Sequence, residues 1–271
     1  MIYSKLLFLT FFTFFNFFQA TENIDFQTEI LYQFSYQSNG NDTTSRNTEL
    51  ATLLLNDNTS VFLTLKKFQR DSAFNLSPLK TGIAYRFGKI DFTQFQIWKN
   101  KEDILTQEPI DGRALSINNE ILQYKEAKSD IQWVLEDETK QIGQYNCQKA
   151  TTSYGGRKWI AWFTSDIPLS DGPYKFSGLP GLILRVSDTQ NQFMFEFQGL
   201  YHNSKTIVPL EVLRPDIKIE DVSRKEFIER RNYLNKNMFS VAISTVPEAN
   251  TDESRKRIQA ETLNDNWIEL L

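Results

Sequence analysis

Phe26-Gln-Thr-Glu-Ile-Leu-Tyr-Gln-Phe-Ser-Tyr36 is the stretch whose reading decides the fold class. Phe26, Ile30, Tyr32, Phe34 and Tyr36 alternate with Gln27, Glu29, Gln33 and Ser35. A period of two places the first set on one face of a strand and the second on the other. The stretch therefore reads as a long, half-buried strand. Working outward, Glu49 to Leu55 and Val61 to Leu65 flank Asn56-Asp57-Asn58, whose short polar side chains favour turns, so a hairpin is expected there. The polar segment from Lys66 to Lys80 interrupts the pattern, which resumes at Ile83 to Phe87 and Phe92 to Trp98. Further strands are expected at Leu115 to Ile117, Ile121 to Lys125, Ile131 to Leu135, Ile142 to Thr151, Lys158 to Thr164, Leu182 to Ser187 and Phe193 to Tyr201.

Helix signals gather near the end. Ser223 stands three residues before Glu226, the capping-box spacing, and Phe227, Arg231 and Leu234 follow on one face of a helix expected to run to about Asn235. Glu253 to Leu263 is a weaker second helix. About eleven short strands predict a mainly β fold, because twist accumulates across a long sheet. The expected form is a single strongly curved antiparallel sheet, a half-barrel or open barrel, with one or two C-terminal helices.

Composition excludes several chemistries. The 271 residues include 30 Lys or Arg against 34 Asp or Glu, for a net charge of −4, so nucleic-acid binding driven by bulk positive charge is not expected. One Cys cannot form an intramolecular disulfide, and one His cannot build a multi-histidine metal site. No Walker loop, dinucleotide fingerprint or nucleophile elbow occurs, and no cofactor, metal or catalytic residue is expected.

The N-terminus reads separately. Lys5 is the only charge before an apolar run from Leu6 to Phe18, the layout of a secretory signal peptide cleaved near Ala20. The run is too short to span a bilayer comfortably, which takes roughly 20 apolar residues. Residues 1–20 are therefore expected to be a signal peptide and 21–271 a single β-rich domain. The expected location is the periplasm or the exterior, with no membrane span after signal removal.

Between Asp130 and Leu200 the chain carries Trp133, the strand Gly143-Tyr145-Cys147-Lys149-Ala150, Ala161-Trp162, Asp166-Ile167-Pro168 and the hexapeptide Gly178-Leu179-Pro180-Gly181-Leu182-Ile183. In order and spacing these resemble the GLPGLI family of secreted proteins from Bacteroidota, over about seventy residues. The resemblance implies an exported protein and no established activity.

Two readings of the hexapeptide stand side by side. In the structural one, Pro180 and Gly181 suit the central positions of a type II turn. That corner feeds a hairpin of Leu182, Leu184 and Val186 against Phe193, Phe195 and Phe197. In the functional one, the preceding loop sets Tyr174 and Phe176 beside Leu179 as an apolar clamp on a ligand.

Cys147 shares a strand face with Tyr145 and reads as a small inward-pointing hydrophobe; pairing with His202 in catalysis would need the two strands to meet. Asp166 with Asp171, or Asp130 with Glu136, could serve a glycosidase or an oxygen-ligand metal site, although none follows a specific spacing. The expected function is a non-catalytic envelope protein that binds an apolar small molecule, lipid or peptide, or docks on an outer-membrane component. The alternatives are an envelope hydrolase using paired carboxylates and a purely structural interaction protein.

Overall fold

The computed structural model of the chain describes residues 23–69, 94–109, 120–202, 205–207, 218–245, 251–253, 255–256 and 266–270. The expected strands at 83–87 and 115–117, the signal segment 1–20 and most of the second helix at 253–263 lie outside the described residues.

The opening stretch is a strand, broken at Gln27 into β1 (Ile24–Phe26) and β2 (Thr28–Gln37). Ile30, Tyr32, Phe34 and Tyr36 are buried on one face, as their alternation requires, whereas Phe26, beyond the break at Gln27, is buried in the cluster on the opposite face. The hairpin forms between β3 (Arg46–Leu55) and β4 (Ser60–Thr64). Asn56 Oδ1 closes its turn by accepting from the Asn58 and Thr59 amides at 3.0 and 2.9 Å. The remaining strands are β5 (Gln96–Lys99), β6 (Asp103–Pro109), β7 (Glu120–Ala127), β8 (Val134–Ile142), β9 (Tyr145–Tyr154), β10 (Arg157–Thr164), β11 (Leu182–Asp188), β12 (Phe193–Tyr201), β13 (Lys205–Ile207) and β14 (Lys218–Asp221).

Twelve of these strands make one sheet in the order β14-β7-β6-β5-β4-β3-β2-β12-β11-β10-β9-β8, and β1 pairs with β13 in a separate two-stranded sheet. This corrects the expected architecture in three respects. The large sheet is mixed, because β14 runs parallel to β7. It stays open, with β14 and β8 as its two ends, and does not form a half-barrel or open barrel. There is also a second sheet. The physical reason is that apolar faces can be buried without joining the sheet's ends. Ile30, Tyr32, Phe34, Leu53, Phe62, Ile97, Trp159, Leu184, Val186 and Phe195 form one continuous face, and the β10–β11 connection (165–181) lies across it. The opposite face of β3 to β6 is covered in its own cluster, where Leu54, Val61, Leu63, Trp98 and Leu105 pack with Phe26 and Ile207 of the small sheet. Accumulated twist is a tendency, and covering segments answer the same need.

Helix α1 (Arg224–Thr245) runs ten residues past its expected end. Ser223 Oγ accepts from the Glu226 amide at 3.1 Å, as the capping-box spacing predicts. The helix seats Phe227 and Ile228 on Leu122 and Tyr124 of β7. Among the described residues no helix is long and apolar enough to cross a membrane.

Candidate functional site

The β10–β11 connection has a loop's composition and a core's environment. Every residue from Asp171 to Ser177 is buried, together with Leu179. Its backbone groups are satisfied by short local bonds: Ile167 O accepts from the amides of Leu169 and Leu182, and Asp171 O accepts from Ile183. Side chains complete the cover, since Trp133 Nε1 donates to Ser177 O at 2.9 Å and Tyr32 OH donates to Ile183 O at 2.8 Å.

The hexapeptide is a corner, but its turn is tighter than type II. Gly181 N–H donates to Leu179 O at 2.8 Å, so the reversal centres on Pro180 as a γ-turn, while Leu182 N–H reaches Ile167 O. Gly181 has φ +149°, and a Cβ there would lie 2.0 Å from Thr164 O. Close passage over the end of β10 therefore requires glycine, as well as its conformational freedom.

The three side chains expected to form an exposed clamp are buried: Tyr174 is 3%, Phe176 0% and Leu179 1% exposed. Phe176 packs among Trp133, Tyr154 and Trp159. Tyr174 takes φ +54°, a conformation costly for a bulky residue, and surrounding contacts hold it there.

Between Tyr174 and Phe176 sits Lys175, fully buried, and around it lies the most concentrated chemistry among the described residues. Its Nζ is 2.5 Å from Glu126 Oε2, 2.6 Å from Glu269 Oε1 and 2.9 Å from Tyr124 OH. The rings of Tyr124, Tyr154 and Tyr174 face the ammonium with centroids at 4.6, 5.7 and 5.5 Å. Arg224 of α1 balances the second carboxylate: it lies 3.1 Å from Glu126 Oε1 and 2.8 Å from Glu269 Oε2. Tyr154 donates to Glu126 at 2.8 Å, and Tyr174 donates to Glu269 at 2.5 Å.

Two cations and two anions thus share one largely buried network, with Arg224 at its more exposed edge. Burial alone would raise the Glu269 carboxyl, but the charges of Lys175 and Arg224 and the bonds from Lys175 and Tyr174 override it and hold it at about 2. Burial opposes the Lys175 charge too, and Glu269 with the tyrosines keeps its pKa well above the usual lysine range. Burial raises all three tyrosines.

Glu269 arrives on a short strap, residues 266–270, that bends at Ile268 and that the sequence reading did not single out. Asn266 N–H donates to Ser38 O at 3.1 Å and its Nδ2 to Gln37 O at 2.7 Å. Arg157 donates to Trp267 O through Nε and a terminal nitrogen, at 3.2 and 2.7 Å. Arg231 donates to Glu269 O at 2.7 Å, and Leu270 N–H donates to Gly155 O at 2.7 Å. Trp267 and Glu269, two residues apart, both turn inward, while Leu270 is 42% exposed. Gly155 lets the strap lie close, because a Cβ there would come within 2.9 Å of Glu269 Cγ.

Under the strap is a small cavity of about 20 Å³, lined by Phe34, Tyr36, Phe95, Tyr174 and Phe193 together with Glu108, Tyr124 and Arg231. That volume is enough for one water-sized group. Arg231 is 4% exposed, and its Nε has no hydrogen-bond partner among the described residues. An arginine on the apolar face with Phe227 was visible in the sequence, although its target was not.

The other sequence candidates disperse. Asp171 is buried against Lys99, with Ser60 Oγ donating to it at 2.6 Å, while Asp166 is exposed. Glu136 pairs with Lys149 at 2.9 Å, and Asp130 is exposed and accepts from the Ala127 amide. Cys147 is buried, its thiol pushed up to about 11 chiefly by burial, whereas His202 is exposed beyond β12. Among the described residues no group of three or more His, Cys, Asp or Glu could hold a metal ion.

A family model described as a protein of unknown function (Porph_ging) matches residues 154–185, from the end of β9 through β10 and the connection into β11. The matched segment includes Gly155, Arg157, Lys175 and the hexapeptide, and the match carries that description rather than the GLPGLI name. No curated protein matches the chain. Structures of PNGF-II in two space groups are similar, with TM-scores of 0.48, identities of 18% and 17%, and coverage of 76% of this chain. They are covered over 33% and 32% of their own length, so the chain spans about a third of PNGF-II.

Proposed function

We propose that the chain is an exported, non-catalytic envelope protein of the GLPGLI type that binds a peptide or apolar ligand in the groove now filled by residues 266–270. The carrying observation is the aromatic cavity under that strap, with the Arg231 guanidinium on its wall and Nε unpartnered. A buried guanidinium N–H without a partner is costly, and a ligand group entering the cavity would satisfy it. Export rests on the apolar run from Leu6 to Phe18 after Lys5.

The paired-carboxylate hydrolase is less well supported. Glu126 and Glu269 do converge, but on a lysine that lies between them. With Glu269 held at about 2 it is ionised throughout the physiological range, whereas a general acid needs a raised value.

Native mass spectrometry of protein taken from its own envelope tests the proposal. The expected result is a chain shortened by roughly 20 residues, carrying a co-purifying peptide or apolar molecule that Trp267→Ala changes in occupancy. Full-length chain retained in the inner membrane, or a ligand-free chain that takes up neither peptides nor apolar probes, would overturn it.

A further inference from the structure

Resting on that reading, we propose that the groove is selective for a short peptide carrying an aromatic residue followed two positions later by a carboxylate, and that residues 266–270 are its built-in competitor. The strap is held as a bound peptide is held. Its main chain is read by Ser38 O, Gly155 O, Arg157 and Arg231, of which the two carbonyls contact backbone amides alone, while Arg157 also donates to Asn266 Oδ1 at 2.6 Å. Its inward side chains are read separately: Trp267 lies under the Arg231 guanidinium, 4.5 Å from ring centroid to Cζ, and Glu269 meets Lys175, Tyr174 and Arg224. Main-chain bonds supply affinity and alternate pockets supply selectivity, the division of labour of extended-peptide recognition.

The carboxylate is the discriminating element. Without it, Glu126 is the one carboxylate that Lys175 and Arg224 still share among the described residues, and the buried lysine loses its second carboxylate. An incoming peptide must restore that charge to displace the strap. Arg231 Nε, unpartnered with the strap in place, marks where an incoming peptide can make a bond that the strap does not make.

The test uses a fluorescent, terminally capped peptide of sequence Asn-Trp-Ile-Glu-Leu and the full-length chain. Anisotropy should show binding to Trp267→Ala/Glu269→Gln about tenfold or more tighter than to the parent, because the competitor no longer holds the groove. The same peptide with Gln in place of Glu should bind about tenfold or more weakly. Equal affinity for the two proteins, or for the two peptides, overturns the proposal.

If the double variant does not fold, the parent protein decides. Excess peptide should speed hydrogen exchange at the Asn266 and Leu270 amides, and unchanged exchange at millimolar peptide overturns the proposal. A co-purifying apolar molecule that the peptide fails to displace would leave the wider binding reading standing while refuting this one.

Discussion

Two segments separated in the chain by β9 and β10 have opposite fates. The 165–181 connection is rich in Gly and Pro, and its centre is buried from Asp171 to Ser177. Strand β8 carries adjacent apolar residues, yet Val134 is 64% and Leu135 51% exposed. The difference lies in where topology leaves each segment. β8 ends the sheet, pairs only with β9 and has nothing across its free edge among the described residues, whereas the connection is laid over the sheet face. Composition ranks residues by tendency, while position in the sheet decides whether that tendency is met.

The comparison is broken most severely at its buried end. Among the described residues, Lys175→Met leaves Glu126 and Glu269 with Arg224 as the one cation they share in a largely buried site, and removing one partner of a buried pair costs about 4 kcal/mol. A thermal melt should fall by roughly 10 °C for a chain of this size. An unchanged melt would mean that the network is hydrated. Gly181→Val comes next, at about 3 kcal/mol, because its Cβ would meet Thr164 O at 2.0 Å in a conformation unfavourable to side chains. Denaturant titration should show a lower midpoint. A parent-like midpoint would displace the corner from the end of β10.

Acid probes the same network without mutation. The Glu269 carboxyl is held at about 2 against an ordinary 4.5. A lowered carboxyl contributes stability that is present above its unfolded value and lost as pH falls through the folded one. The loss should therefore run from about pH 4.5 to 2 and amount to something on the order of 3 kcal/mol. Glu269→Gln should flatten that part of the stability profile; an equally steep profile in the variant would assign the acid sensitivity elsewhere. At the exposed end, Val134→Thr and Leu135→Thr should each change stability by less than about 0.5 kcal/mol. A larger loss would show that β8 is covered in solution.

Much of the sheet was legible from alternation. The apolar buried positions of β2, the Asn56 turn, β10 to β12 and the start of α1 follow from local chemistry, whereas the burial of Glu29 and Ser35 on the polar face of β2 does not. β6 escaped because Asp103-Ile-Leu-Thr-Gln-Glu-Pro109 carries too few apolar residues to mark a face, although five of its seven residues are buried. The parallel pairing of β14 depends on a long-range connection that no local pattern encodes. In the site, Tyr174, Phe176 and Leu179 were picked out by type and misplaced by environment: aromatic residues in a loop suggested exposure, and the loop is core. Lys175 was passed over because a lysine between aromatics ordinarily faces water. Its burial depends on Glu126, 49 positions earlier in the chain, and Glu269, 94 positions later. Trp267 and Glu269 did show the period of two, but five residues near a chain end are too short a pattern to be read alone.

The account turns on the strap being bound in its groove, and hydrogen exchange in the unmodified full-length chain at neutral pH tests that most directly. Leu270 N–H bonded to Gly155 O, and Asn266 N–H bonded to Ser38 O, should be protected by about a hundredfold or more over a free peptide. Glu269→Gln should shed most of that protection while the amides of β2 and β12 keep theirs. Strap amides that exchange at free-peptide rates in the parent protein would contradict the account.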